Sequence, residues 1–70
     1  MAGIYRKTIL CIEDKEYEAG DVIEHLRWKP DAETNNEVYH VLLRDIIENS
    51  IIVWDGRGED LEIRIEDIIG

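Results

Sequence analysis

Apolar and charged residues alternate one by one near the end of the chain, in LEIRIED, residues 61–67. The apolar positions on one side of such an extended segment are Leu61, Ile63 and Ile65. This period of two predicts a strand with one buried and one solvent-facing side, and it places the central Ile63 in the core. The β-branched run at residues 51–54 and the glycine-containing turn DGRGED come just before it, so the two segments are predicted to form a hairpin.

The opening segment IYRKTILCI, residues 4–12, is also rich in residues that favour strands. Alternation along it predicts that Ile9 and Cys11 face one way and that Leu10 and Ile12 face the other.

The stretch KEYEAGDVIEHLRW, residues 15–28, is compatible with a helix or a strand after its glycine. Asp21 has the spacing of a helix cap, but a helix starting there has only about two turns before Pro30, and such short helices rarely form alone. A strand accounts for more residues, with Tyr17 as an apolar anchor and EAG as a tight bend. We therefore expect a turn at Gly20 and Asp21 and then a strand.

Two interpretations of the middle of the chain remain open. KPDAETNNE, residues 29–37, is predicted to be a loop, because its proline and asparagines interrupt both periodicities. Beyond it, the apolar residues with helical spacing are Tyr39, Leu42, Leu43, Ile46 and Ile47. TNNE has the spacing of a capping box, which favours a helix at about residues 35–48. The β-branched residues of VYHVLLRDII favour instead a strand that turns at ENS, and this is the preferred interpretation.

The segment KEYEAGDVIEHL resembles the diverging turn of Src-homology-3 domains, in which an aromatic residue, a glycine followed by an acid, and an apolar run succeed one another. GRGEDLEIRIEDI resembles the end of such barrels. The resemblance implies an all-β fold, a small five-stranded Src-homology-3-like barrel. The alternative is an α+β fold with an antiparallel sheet and a helix at about 35–48. The aromatic pair and the proline of the family's peptide groove are missing, so only the fold is inferred from it.

Length and composition predict one small domain spanning residues 1–70, as a monomer or a small homo-oligomer. The chain has 70 residues, of which 44% are hydrophobic, and a formal net charge of −9. A single cysteine, Cys11, excludes an intrachain disulfide and a four-cysteine zinc site. No apolar run approaches the ~18 residues of a membrane span and no secretory signal is evident, so a cytoplasmic protein without membrane attachment is expected.

The sequence contains no motif that indicates catalysis, a cofactor or a metal. DGRGED offers carboxylates around glycines but lacks the alternating ligands of a calcium loop. Cys11 is expected to be a small core residue, because no feature of the sequence brings it near His25 or His40. Ser50 lacks the context of a nucleophile elbow. We expect a protein that is not an enzyme and needs no cofactor.

The acidic charge indicates the kind of partner. Residues 45–70 hold eight acids and two bases, a net charge of −6. Such a surface repels phosphate backbones, so nucleic acid is an unlikely partner. We expect an interaction module that docks on a basic surface of a larger protein, as a regulator or inhibitor, with mimicry of nucleic acid as a special case. Its expected partner-binding residues are Trp28, as an exposed anchor, and Asp55, Glu59, Asp60 and Glu62.

The alternative function is oligonucleotide binding on a local basic face of the barrel. The basic residues expected to form that face are Arg6, Lys7, Arg27, Lys29 and Arg44.

Overall fold

The computed structural model describes residues 2–5 and 9–69. Its strands are β1 (Ala2–Tyr5), β2 (Ile9–Ile12), β3 (Lys15–Glu18), β4 (Val22–Asp31), β5 (Thr34–Ile47), β6 (Ser50–Trp54) and β7 (Asp60–Arg64). A short 3₁₀ helix, η1 (Ile65–Asp67), follows β7 directly. These residues contain no α-helix, which confirms the all-β prediction and shows that the α+β alternative is wrong. In the same residues there is no helix with the length and apolar character needed to cross a membrane.

The strands form two antiparallel sheets, one in the order β1-β2-β3 and the other in the order β4-β5-β6-β7. The predicted five-stranded barrel is therefore wrong in detail, because the described residues form seven strands and no closed barrel. The reason is local pairing: β3 pairs with β2 and β4 pairs with β5, so the chain changes sheets between β3 and β4.

The change of sheet takes place at the bend predicted at Gly20 and Asp21. Gly20 has φ +101°, a conformation that glycine adopts without the steric cost of a Cβ. The Asp21 N–H donates to the Glu18 carbonyl at 3.0 Å, and the Asp21 carboxylate accepts from the Glu18 N–H at 2.8 Å. Gly20 N–H donates to the Leu43 carbonyl at 2.7 Å, and Leu43 N–H donates to the Asp21 carbonyl at 2.8 Å. The bend is thereby bonded to the middle of β5.

The helical spacing in the middle of the chain comes from two irregularities in β5. His40 has φ +54°, and the register of β5 with β6 shifts between Leu43 and Asp45. At His40 the register with β4 is unbroken, but Tyr39 and His40 are both exposed, and between Leu43 and Asp45 one extra residue of β5 is accommodated opposite β6. The buried face of β5 therefore shifts by one position at each place. The β5 side chains that are buried in the core or packed against it are therefore Val38, Val41, Leu43 and Ile46. Steps of three, two and three resemble a helical period, although the backbone is extended.

The prediction of a loop at residues 29–37 is wrong. β4 extends to Asp31, residues 32–33 form a turn, and β5 begins at Thr34. The Asp31 carboxylate accepts from the Glu33 N–H at 2.9 Å and from the Thr34 hydroxyl at 3.1 Å. These donors lower the pKa of Asp31 from its ordinary value of 3.8. The proline and polar residues that suggested a long loop therefore belong to strand ends around a tight turn.

Both sheets contribute side chains to one hydrophobic core. Its buried members are Leu10, Ile12, Ile23, Leu26, Trp28, Val41, Leu43, Ile51, Val53, Ile63 and Ile68. The predicted burial of Ile63 is confirmed, at 1% exposure. Leu10 and Ile12 share the buried face of β2 as predicted, whereas Cys11 is half-buried and is not part of this core.

The predicted exposure of Trp28 is wrong, because its side chain is only 7% exposed. Leu26 and Trp28 are alternate positions of β4 and both face the core. The end of the chain also covers this strand: Trp28 pairs with Ile68, and the Ile69 N–H donates to the Arg27 carbonyl at 3.0 Å. The flanking charges suggested a surface position, but they lie at the end of a strand with a buried face.

Candidate functional site

The turn between β6 and β7 is a glycine-containing acidic loop, as the sequence predicts. Gly56 and Gly58 have φ of +91° and +96°, so the backbone turns where side chains other than glycine are strained. The Asp55 carboxylate accepts from the Arg57 N–H at 2.8 Å, which fixes the start of the loop. The loop thus presents its acidic residues beside the first residues of β7.

A cleft of about 140 Å³ lies at this turn. Its apolar lining consists of Val38, Val41, Val53 and Leu61, and its acidic lining consists of Asp55, Glu59 and Asp60. Val41 and Val53 are fully buried, whereas Leu61 is 44% exposed and the three acids are exposed. We call this feature the acidic cleft. It brings together three of the residues predicted from the sequence.

Leu61 is the part of this site that the sequence did not assign. Its alternation with Ile63 and Ile65 indicates a buried position, yet it pairs with Val53 at the end of the sheet where the core is incomplete. An apolar side chain that is half exposed among carboxylates is the clearest sign of a contact surface in this region.

Two predicted partner-binding residues lie outside the cleft. Glu62 is exposed on β7 opposite Ile52, and it alternates with Leu61 and Ile63, so it lies on the outer face of the sheet. Trp28 belongs to β4, which is the opposite edge of the four-stranded sheet from β7. The structure therefore does not bring Trp28 together with the acidic residues.

Arg44 borders the same region from the outer face. Its Nε lies 3.6 Å from Asp60 Oδ1, and its guanidinium carbon lies 5.5 Å from the centroid of the Trp54 ring. Both members of the ion pair are about half exposed, so solvent screens the pair and it adds at most about 1 kcal/mol to stability. Asp60 is thus partly neutralised, while Asp55 and Glu59 supply most of the free negative charge of the cleft.

Three of the basic residues predicted for the alternative function lie among the described residues, on two different strands. Arg27 and Lys29 lie on β4, and Arg27 is opposite the acidic Glu37 on β5. Arg44 contacts Asp60 and Trp54 as described above. Arg6 and Lys7 lie outside the described residues.

A second polar cluster, which the sequence did not indicate, lies on the outer face of the β4–β5 ladder. The rings of His25 and Tyr39 are stacked, with centroids 4.4 Å apart, and His25 Nε2 lies 3.0 Å from Glu37 Oε2. Tyr39 is 59% exposed. A cross-strand pair of this kind stabilises a ladder and does not by itself indicate a ligand.

The other candidate chemistry is dispersed. Cys11 lies on β2 in the first sheet, whereas His25 and His40 lie on β4 and β5 in the second. Ser50 is buried at the start of β6, next to the turn after β5. Within residues 2–5 and 9–69, no three His, Cys, Asp or Glu side chains are placed to hold a metal ion together.

Comparisons of the chain with protein-family models, with curated proteins and with solved structures find no match.

Proposed function

We propose that this chain is a protein-interaction domain that docks through the acidic cleft on a basic surface of a larger protein. The observation that carries the proposal is the combination of Leu61, half exposed, with the exposed acids Asp55 and Glu59. An apolar contact supplies affinity when it is desolvated, and the surrounding charge selects the partner.

The charge of the whole chain supports the same partner class. A net charge of −9 attracts a basic protein over a distance of about 10 Å at 0.1 M salt. Steering of this kind raises association rates by ~10–10³-fold at low salt. Docking of so small a domain on a basic functional surface is a direct means of regulating or inhibiting the larger protein.

The test is affinity capture from an extract of the native host, with bound proteins identified by mass spectrometry. The immobilised baits are the wild type, the cleft variant Asp55→Asn/Glu59→Gln/Asp60→Asn, and a matched control that removes three charges from β3 and the turn before it. The control substitutions are Asp14→Asn, Glu16→Gln and Glu18→Gln, all at exposed positions.

A basic protein that is captured by the wild type and the control but not by the cleft variant supports the proposal. Equal losses from both variants would show that only the overall charge acts, and the cleft would then have no specific role. Material that disappears after nuclease treatment would indicate nucleic acid and contradict the proposal.

A further inference from the structure

β7 is an edge strand next to the acidic cleft. Among the described residues it pairs only with β6, so the backbone N–H and C=O groups on its second side have no partner strand there. Such an edge is a template for another strand.

The outward-pointing groups of β7 follow from one hydrogen bond. The Ile65 N–H donates to the Asn49 carbonyl at 2.9 Å. Asn49 and Ile65 directly follow the pair Ser50 and Arg64 in the register of β6 with β7, so they continue the same ladder by one position. In an antiparallel ladder, successive residues direct their backbone groups alternately toward and away from the partner strand. Leu61 and Ile63 therefore bond toward β6. The residues whose backbone groups point away from β6 are Asp60, Glu62 and Arg64.

The side chains of β7 specify which strand fits this edge. On the outer face, Asp60 and Glu62 favour basic residues at the two directly opposed positions of an added strand. On the inner face, an apolar residue between those two would extend over the exposed part of Leu61. The complementary strand therefore alternates basic and apolar residues.

A second copy of this chain is the competing occupant of the same edge. Antiparallel self-pairing centred on Glu62 would place two Glu62 carboxylates directly opposite each other, which is destabilising, but it would also place Asp60 opposite Arg64 at two positions, which is favourable. A segment with basic residues opposite Asp60 and Glu62 avoids the carboxylate repulsion, and a chain that dimerises by itself in sedimentation equilibrium would show that a second copy occupies the edge instead. The other edge of the large sheet is less accessible, because Pro30 lacks an N–H and the Arg27 carbonyl already accepts from Ile69.

We propose that the partner binds by adding an extended segment, with basic residues at alternate positions and apolar residues between them, as an antiparallel strand along β7. This inference rests on the proposed function and specifies its binding mode: backbone hydrogen bonds to Asp60, Glu62 and Arg64 accompany ion pairs to the carboxylates.

The experiment uses the whole chain and short synthetic peptides of alternating lysine and valine, with both ends blocked. In the proposed register, the lysine residues lie opposite Asp60 and Glu62, and their N–H groups point toward β7. One peptide carries N-methyl groups on the lysine backbone nitrogens, and the matched control carries the same number on the valine nitrogens, which point away. Binding is measured by ¹H–¹⁵N shift titration, and protection is measured by amide hydrogen exchange.

The unmodified and valine-methylated peptides should bind, and lysine methylation should weaken binding by about tenfold or more. On binding, the N–H groups of Glu62 and Arg64 should exchange about tenfold more slowly, whereas those of Leu61 and Ile63 are already bonded to β6 and should change little.

Two outcomes would overturn the inference: no binding of the unmodified peptide, or equal binding of the two methylated peptides. Equal binding that the cleft variant abolishes would leave docking on the acidic cleft intact and reject only strand addition. If no peptide binds, the capture experiment decides the proposed function independently.

Discussion

Tyr39 stacks on His25 across the β4–β5 ladder, with ring centroids 4.4 Å apart and ring planes within 1° of parallel. Tyr39 directly precedes His40, which has φ +54°, and the register of β4 with β5 is the same on both sides of His40. Glu37 completes the cluster, because its carboxylate lies 3.0 Å from His25 Nε2 and accepts from the Tyr39 hydroxyl at 3.5 Å. The ladder is thus held on its solvent side by side-chain pairs next to the point where its alternation changes.

The first prediction is that the stack contributes measurably to stability. Cross-strand aromatic pairs typically contribute about 0.2–1 kcal/mol, so Tyr39→Ala should lower the free energy of unfolding by about that amount. Urea unfolding of the wild type, Tyr39→Ala, His25→Ala and the double variant measures the coupling. Strictly additive losses would show that the two rings do not interact in solution.

The second prediction concerns the core side of β7. Ile63 is fully buried, and Ile63→Ala should lower the free energy of unfolding by about 2–5 kcal/mol, a large part of the stability of so small a domain. Leu61→Ala is the matched control on the same strand face, with an expected loss of about 1 kcal/mol because Leu61 is half exposed. If both substitutions lowered the free energy of unfolding by similar amounts, Leu61 would be as buried as Ile63, and the half-exposed position of Leu61 at the cleft would be contradicted.

The third prediction tests the bend that connects the sheets. A Cβ on Gly20 would meet no atom within 4 Å, so the effect of Gly20→Ala reports the strain of φ +101° alone. We expect a loss of about 1–2 kcal/mol. Gly3 also has open space around its Cβ position but lies in β1 without a positive φ, and Gly3→Ala should be neutral or slightly stabilising. Thermal unfolding of both variants provides the comparison. A neutral Gly20→Ala would mean that the bend has another conformation.

Sequence patterns predicted the parts of this fold that depend on neighbouring residues only. The period of two around Ile63, the acidic turn before it and the bend at Gly20 are all local and all present. The middle of the chain was ambiguous because two strand irregularities depend on pairing with other strands, and they give β5 a nearly helical spacing. Trp28 was misplaced for a similar reason, since the chain segment that covers it lies forty residues further on, at Ile68.

The candidate site was predictable to the same extent. The carboxylates of the loop lie within residues 55–60 and were assigned from the sequence, whereas the cleft also needs Val38 and Val41 from β5. Leu61 has the same alternation in sequence as the buried Ile63, and its exposure depends on contacts between strands that are distant in sequence. The sequence therefore could not distinguish Leu61 from a core position.

The fourth prediction concerns acid and the turn between β4 and β5. Donation from the Glu33 N–H and the Thr34 hydroxyl lowers the pKa of Asp31 in the folded state. The ionised carboxylate therefore stabilises the folded state above pH 3.8, and this contribution is lost as the pH falls through the lowered pKa. Above pH 3.8 the wild-type protein should be more stable than Asp31→Ala, and this difference in stability should shrink as the pH falls below the lowered pKa of Asp31.

Urea unfolding as a function of pH measures this difference, and carbon NMR of the Asp31 carboxyl group measures its titration directly. A measured pKa of Asp31 above 3.8 would contradict the hydrogen bonds that its carboxylate accepts in the turn.

The last prediction separates the two partner classes. Nucleic acid binding requires cations that are free to replace counterions along the phosphate backbone, and its strength depends on their number. In the described residues Arg44 is close to Asp60, and Arg27 is opposite Glu37, within a chain of net charge −9. We expect no complex with single- or double-stranded DNA or RNA in mobility-shift assays at physiological salt, up to about 10 μM protein. Arg27→Ala and Lys29→Ala serve as matched variants in the same assay. A complex at micromolar concentration that either substitution weakens would show that β4 forms a basic face, and it would favour oligonucleotide binding over docking on a basic protein.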